Sequence, residues 1–426
     1  MVGLTLLIAL IVLLILNVPV GIALGVSSMF ALVVGDTLSL TSIPQALITS
    51  CDSFPILAIP LFILAGDLMG AGGVSRRILD VCNVFFGRIT GGLAIVTVLV
   101  CMFFAAVSGS GPATVAAVGT MVIPTMLKLG YDRSFVLALV ATAGSIGVII
   151  PPSIPMVIFG VSTGTSVTSL FMGGFFPGFL IGFSLIAYCY WFAKKRGYTG
   201  SKEPFDGKKA WAATWEAKWA LINPVIILGG IYAGLFTPTE AAAVAAIYAY
   251  ICGAFIYREL PPKKLIKAIG TSCSTTATTM VILGCATAFT KIITIEQIPT
   301  MVTQMMMTVS ESPIVILLLI NLILLIVGCF MDTTPAILVL APILLPVATS
   351  IGLDPIHFGL IMVTNLAIGF ITPPLGINLF VASRISDSSM EVILKGIVPF
   401  ILIMLIDLML ITFIPEIVMF LPNLMK

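Results

Sequence analysis

A chain with 38 charged side chains in 426 residues cannot cover a water-facing surface. A soluble domain gives about a quarter of its residues to charge. Here the charged fraction is 9% and the apolar fraction 59%. The apolar surface must face lipid, so the chain reads as an all-α polytopic membrane protein. A net charge of +2 offers nothing to nucleic acid. The eight cysteines are scattered through apolar runs with no CxxC pair, which argues against a disulfide framework or a thiolate metal site. His357 is the only histidine and no catalytic dyad stands out, so an enzyme is disfavoured.

The two halves of the chain resemble each other. GYDRSF (130–135) followed by GVIIPPS (147–153) recurs as GLDPIHF (352–358) followed by GFITPPL (369–375). Pro124, Gly130, Asp132, Gly147, Pro151 and Pro152 recur as Pro346, Gly352, Asp354, Gly369, Pro373 and Pro374, all 222 positions later. Six matches at one offset read as a duplication, and internal repeats in membrane proteins point to secondary transporters.

Charge then orients the spans. The apolar run 1–16 has no basic residue ahead of it, so it reads as a retained first span beginning outside the cytoplasm. The linker 194–218 is the most basic stretch and belongs in the cytoplasm, with Lys194, Lys195, Arg196, Lys202, Lys208, Lys209 and Lys218 against Glu203, Asp206 and Glu216. Trp211, Trp215 and Trp219 within it form an i, i+4, i+8 stripe suited to the headgroup level. In the first repeat, 1–193, spans fall near 3–17, 19–35, 52–70, 134–165 and 168–193. Basic groups flank both ends of 90–128 (Arg88, Lys128, Arg133), which makes it a re-entrant hairpin. In the second repeat, 219–426, spans fall near 219–236, 239–257, 270–290, 356–384 and 393–421, with a hairpin at 313–347. About five crossings per repeat invert the second against the first and leave both termini in the periplasm. The scheme places 18 of the 20 Lys and Arg in the cytoplasm, all but Lys291 and Lys426.

Each repeat carries two backbone irregularities. The hairpin tips are SGSGPAT (108–114) and MDTTPA (331–336), and the broken spans contain GSIGVIIPPS (144–153) and NLAIGFITPPL (365–375). Paired prolines remove backbone donors, and the freed carbonyls need a partner or a cavity at membrane depth. Carbonyls with Ser and Thr hydroxyls form an oxygen cage suited to a small hard cation. Helices starting at the tips aim N–H groups and a positive dipole end at the same region, which suits an anion. The pattern predicts an ion-coupled carrier of anions with one cation site per repeat. Asp332 strengthens the second unit, because a carboxylate at membrane depth is costly. Asp67 carries a weaker signal and Asp407 no assigned role. Thr237, Pro238 and Glu240 in GLFTPTEAAAV (234–244) read as a capping box. The glycines of GSGPAT follow no strand and lack the third glycine, so they do not mark a dinucleotide site.

At these residues the chain resembles the large membrane subunit of tripartite ATP-independent periplasmic (TRAP) transporters, the DctM-like family. The likeness covers essentially the whole chain and rests on NVPVGIALG (17–25), PLFILAGDLM (60–69), GSGPATVAAVG (109–119), GSIGVIIPPS (144–153), GLFTPTEAAAV (234–244) and GFITPPLGINLF (369–380). The resemblance implies a bacterial inner-membrane, sodium-coupled importer of an organic acid. It implies two partners, a periplasmic substrate-binding protein and a small membrane subunit of about four helices. It also implies an elevator, in which the hairpins 90–128 and 313–347 and the broken helices 134–165 and 356–384 move through a scaffold of spans 1–70 and 219–290.

Carried onto matching positions, one sodium site would use Ser108, Ser110, Gly147, Ile150 and Pro152. The other would use Gly328, Asp332, Thr333, Gly369, Thr372 and Leu375. Substrate would sit between the tips near Ser110, Thr114, Thr334 and Asn378. Sialic acid and C4-dicarboxylates both occur in the family; small polar groups at the tips, without paired arginines, lean toward sialic acid. The alternatives are a self-sufficient sodium/dicarboxylate symporter of related fold and, from another class, a channel or membrane scaffold.

Overall fold

The computed structural model describes residues 2–35, 39–200 and 205–425. The readings that used Lys202, Glu203 and Lys426 lie outside the described residues.

The chain opens with two apolar helices, α1 (Val2–Ile15) and α2 (Val20–Gly35), which pack on each other. α3 (Ser42–Cys51) ends where Asp52, Ser53 and Pro55 interrupt the helix, and a 3-10 turn at Phe54–Leu57 leads into α4 (Ala58–Ala71). Gly73, at φ +80°, turns the chain into the amphipathic α5 (Val74–Phe86). Arg77 pins this helix: it pairs with Glu259 at 2.8 Å and Glu216 at 3.5 Å and lies 3.8 Å above the Tyr257 ring.

A hairpin follows, α6 (Gly92–Ser108) and α7 (Gly111–Lys128), then α8 (Arg133–Ser145), a 3-10 turn at Ile146–Val148 and α9 (Ile154–Thr163). α10 (Val167–Arg196) and α11 (Gly207–Tyr232) flank the basic linker. α12 (Pro238–Ile251) runs into a π turn at Cys252–Ile256, and α13 (Pro262–Ile295) continues unbroken for 34 residues. Its start is given by Pro262 in the first turn, where the absent N–H has no helical partner to lose. α14 (Ile298–Val309) leads to a second hairpin, α15 (Pro313–Phe330) and α16 (Thr333–Ser350), followed by α17 (Pro355–Gly369), α18 (Ile377–Ser386), α19 (Met390–Phe413) and α20 (Glu416–Leu424).

Helix starts at Gly92, Gly111, Arg133, Ile154 and Val167 are matched 221 to 223 positions later by Pro313, Thr333, Pro355, Ile377 and Met390. Local chemistry matches too. Gly130 and Gly352 turn at φ +82° and +85°, and Asp132 and Asp354 then cap α8 and α17 by accepting from Phe135 N and Ile356 N. The Ser134 hydroxyl bonded to Asp132, with help from the Phe135 amide, holds that carboxyl below the usual range. The Pro151–Pro152 and Pro373–Pro374 bonds are both cis.

Two packing groups emerge. α2, α3 and α4 pack with α12 and α13, while α11 lies against α5 and α12. In the other group the halves interlock: α7 packs on α18, α9 on α16 and α8 on α19. Among the described residues seven helices, some with an attached turn, are at least 18 residues long and apolar enough to cross a membrane. The broken spans are made of shorter apolar helices.

Three expected boundaries change, the span near 270–290 running from Pro262 to Ile295. The span near 219–236 starts at Gly207, where Asp206 accepts from Lys208 N at 2.9 Å, so the Trp211, Trp215 and Trp219 stripe rides on the first turns of α11. The linker 194–218 thereby contracts to 197–206. The stretch 393–421 is two helices, because Ile414 leaves helical geometry ahead of Pro415. The capping box is present: Thr237 N donates to Glu240 Oε2 at 2.8 Å and Glu240 N to Thr237 Oγ1 at 3.3 Å.

α15 and α17 approach closely at Gly328 and Gly369, where a Cβ on Gly369 would collide with the Gly328 carbonyl. Because the obstacle is backbone, the helices must separate to admit a methyl group. Gly369→Ala should therefore cost about 1–3 kcal/mol, as overpacking does, read as a lower melting temperature of the detergent-purified chain. Gly270→Ala, with nothing within 4 Å of the added atom, should leave it unchanged.

Candidate functional site

The first tip is built by a left-handed glycine followed by a serine cap. α6 ends at Ser108, Gly109 turns at φ +60°, and Ser110 in extended geometry accepts from Ala113 N at 3.5 Å to start α7. This brings three hydroxyl residues together. Thr114 Oγ1 donates to the Ser110 carbonyl at 2.8 Å and lies 3.1 Å from Ser108 Oγ. Gly147 seats against the cluster: a Cβ there would lie 2.6 Å from Thr114 Oγ1 and 2.7 Å from the Ser110 carbonyl. The broken span joins from behind, since Ile154 N donates to the Gly109 carbonyl at 3.3 Å, and a Cβ on Gly109 would stand 2.8 Å from the Pro152 carbonyl. Ser108, Ser110, Gly147 and Pro152 are thus brought together as expected. The Ile150 side chain turns away onto Gly178 of α10.

At the second tip Asp332 caps α16, accepting from Thr333 N at 2.6 Å and Thr333 Oγ1 at 3.3 Å. Behind it Gly328 meets Gly369. Leu375 N donates to the Cys329 carbonyl at 3.2 Å, Thr372 N to the Gly369 carbonyl at 3.2 Å, and Thr372 Oγ1 to the Ile368 carbonyl at 2.8 Å. Gly328, Gly369, Thr372 and Leu375 therefore gather at the break, and Asp332 with Thr333 at the tip.

Both tips open on one cavity of 370 Å³. Ser108, Ser110, Asp332, Thr333 and Thr334 line one side, and Asp67 of α4 with Thr271, Thr275 and Thr279 of α13 line the other. Ser272 donates to Asp67 at 2.6 Å. No basic side chain is among the described lining residues. Along α4, α6 and α7 a second cavity of 510 Å³ shares Asp67 and Ala113 with the first and extends to Arg76 and Lys264.

Of the expected substrate residues, Ser110 and Thr334 line the tip cavity, and Thr114 and Asn378 do not. Thr114 is fully buried in the tip cluster. Asn378 is fully buried behind it, donating to the Ala141 carbonyl and Ser145 Oγ, both at 3.0 Å. A buried amide needs partners; α8 supplies them for the NH2 group, so Asn378 braces α18 against α8, while its Oδ1 has no partner among the described residues.

The oxygen donors at the tips suit a small hard cation rather than a soft metal, and Gly147 leaves the space that a Cβ would fill. The two hairpin helices also begin at the cavity, with their N-terminal dipole ends beside it.

Residues 7–417 match the family model of the tripartite ATP-independent periplasmic transporter, DctM component. The chain belongs to that family. It is 50% identical over 407 residues to the isethionate TRAP transporter permease protein DctMQ of Oleidesulfovibrio alaskensis, covering 96% of this chain and 64% of that one. The DctM-family chain thus spans just under two thirds of that relative's length. It is 42% identical over 402 residues to the C4-dicarboxylate TRAP transporter large permease protein DctM of Pseudomonas aeruginosa, covering 94% of each. With the sialic acid TRAP transporter large permease protein SiaM of Vibrio cholerae the identity is 36% over 413 residues, 96% of this chain and 95% of that one. The fold is similar to the YdaH transporter of Alcanivorax borkumensis, with a TM-score of 0.60, 16% identity and 88% of each chain covered. The DctM-family chain is a membrane permease.

The threonine ladder facing the tips in this permease was not singled out from sequence. Its signal lies in GTSCSTTATT (270–279), where Thr271, Thr275 and Thr279 recur at i, i+4 and i+8 inside an apolar span. Gly147→Ala would drive a methyl group into Thr114 Oγ1 and the Ser110 carbonyl. Uptake by the reconstituted permease should fall at least about tenfold, equivalent to about 1.4 kcal/mol, while membrane insertion stays intact.

Proposed function

We propose that this chain is the large transmembrane subunit of a sodium-coupled, binding-protein-dependent importer of a small organic acid in the bacterial inner membrane. The observation that carries the proposal is the convergence of two matched tip-and-break units on one cavity that has oxygen donors but no basic side chain. In this reading the units belong to two inverted repeats, 1–193 and 219–426, with both termini in the periplasm. Ser108, Ser110 and the carbonyls near Gly147 and Pro152 would hold one sodium ion; Asp332, Thr333 and the carbonyls near Gly328 and Gly369 would hold the other. Bound sodium would supply the positive charge that lets an anion enter a cavity already bearing Asp67 and Asp332.

The chain's own groups do the rest. The first turns of α7 and α16 present N–H donors to the substrate's acid group. Thr271, Thr275 and Thr279 offer hydroxyls from the other wall. The tip cavity lies between the two packing groups, as expected when the hairpins and broken spans carry substrate past a scaffold of α2, α3, α4, α12 and α13 like an elevator. Because it joins the chamber bearing Arg76 and Lys264, the arrangement is open toward the cytoplasm.

A small membrane subunit and a periplasmic binding protein are the proposed partners. Isethionate heads the list of substrates to test because a 50% identical relative is named for it; C4-dicarboxylates and sialic acid follow. Family membership favours this reading over a self-sufficient sodium/dicarboxylate symporter.

The test is uptake of labelled isethionate, succinate and N-acetylneuraminate into liposomes bearing this chain and its small partner. Uptake of one acid should require both an inward sodium gradient and the loaded binding protein; sodium-driven uptake without the binding protein would establish the symporter instead. In the same assay Asp332→Ala should abolish uptake while leaving insertion intact. Ser108→Ala with Ser110→Ala should raise the sodium concentration needed for half-maximal transport. For topology, Leu40→Cys should label from the periplasm and Lys208→Cys from the cytoplasm.

A further inference from the structure

One basic side chain stands apart from all the others. In the proposed topology Lys291 is the single described Lys or Arg on the periplasmic side, and it lines a cavity of 430 Å³ between α3, α9, α13 and α16. Thr49, Ser50, Ser53, Ser162, Thr287 and Thr290 line the same space, and no carboxylate is among its described lining residues. Among the described residues the ion pairs are those of Arg77 with Glu259 and Glu216, so Lys291 has no acidic partner among them.

A lysine close to the end of a spanning helix can simply extend its ammonium into the headgroup layer. That accounts for a cation at this height. It does not account for hydroxyls from α3, α9 and α13 lining the same cavity in an otherwise apolar bundle. We propose that this cavity is an outer vestibule in which Lys291 binds the carboxylate or sulfonate of the incoming acid before it reaches the hairpin tips.

The position in the fold supports a waypoint. Outward, the cavity shares Ser53 and Val161 with a 420 Å³ space that opens between Thr165 and Thr237. Inward, it stops one helical turn short of the tip cavity on two helices: Thr279 gives way to Leu283 on α13, and Thr334 to Leu338 on α16. Thr290 Oγ1 donates to the Leu338 carbonyl at 3.3 Å beside this boundary, tying α13 to α16. The described lining of the tip cavity has no basic side chain, whereas the chambers on either side do, Lys291 on one and Arg76 with Lys264 on the other. An anion passing through meets a cation before and after the sodium-neutralised tips, but none that would hold it there after sodium leaves.

The sidedness rests on the topology proposed above, and the test separates the two. Sealed proteoliposomes of the complete complex are treated from either side with the membrane-impermeant acylating reagent sulfosuccinimidyl acetate, and acylation of Lys291 is followed by mass spectrometry. Lys291 should react from the periplasmic side. At least one of isethionate, succinate and N-acetylneuraminate, at about 10 mM, should slow the reaction about fivefold or more, and glycerol should not. For the acid that protects, Lys291→Gln should raise the half-saturating concentration of loaded binding protein in the uptake assay about tenfold with little change in maximal rate, and Lys291→Arg should stay within about twofold of the parent. Reaction from the periplasm with no protection by any acid, or Lys291→Gln transporting like the parent, overturns the vestibule and leaves the proposed function standing. Reaction only from the opposite side overturns the topology itself.

Discussion

Every N–H and carbonyl released from helix inside a lipid-facing bundle must find a partner within the protein. The rest of this structure depends on how that requirement is met at two broken spans and two hairpin tips. At the first break Ser153 donates to the Val148 carbonyl at 2.6 Å, and Ile154 N reaches across to Gly109 in the tip. At the second, Leu375 N reaches Cys329 on the hairpin and Asn378 N reaches the Phe370 carbonyl. Each break is thus bonded to its own hairpin, and oxygens are left clustered where the two meet.

Close approach is the second condition. Gly66 lies against Ser108, Gly147 against Ser110 and Thr114, and Gly369 against Gly328. Side chains at these positions would hold the backbone segments apart and widen the oxygen clusters. The interlocking of α7 with α18 and α9 with α16 then ties the halves into one packing group, so the tips face the α4 and α13 wall together.

Much of this was legible in the chain. The basic residues flanking 90–128 forecast the first hairpin, and the paired prolines at an offset of 222 forecast both breaks, because backbone irregularity in a membrane is written in Gly, Pro, Ser and Asp. The capping box at Thr237 was legible for the same reason. The span near 393–421 was misread as one helix because Pro415 is as compatible with a kink as with a stop. The place of Asn378 was not legible, because a polar residue after a proline pair looks the same whether it faces a cavity or braces a neighbouring helix; only α8, more than 200 residues away, shows where its NH2 group goes. Thr271, Thr275 and Thr279 went unremarked because threonines in a span also bond back to their own helix, and nothing local shows which face a cavity.

What the sequence alone determined is residence in lipid, helices as the only secondary structure, and the places where those helices must break. These follow from local composition and from the chain's own hydrogen-bonding capacity. What the tertiary structure decided is which broken ends share a cavity, that Ser110 and Thr334 face it while Thr114 and Asn378 do not, and that Lys291 stands in a chamber of hydroxyls. Those outcomes depend on helices packed from distant parts of the chain, and the direction of a side chain around a helix acquires meaning only when the opposing wall is in place.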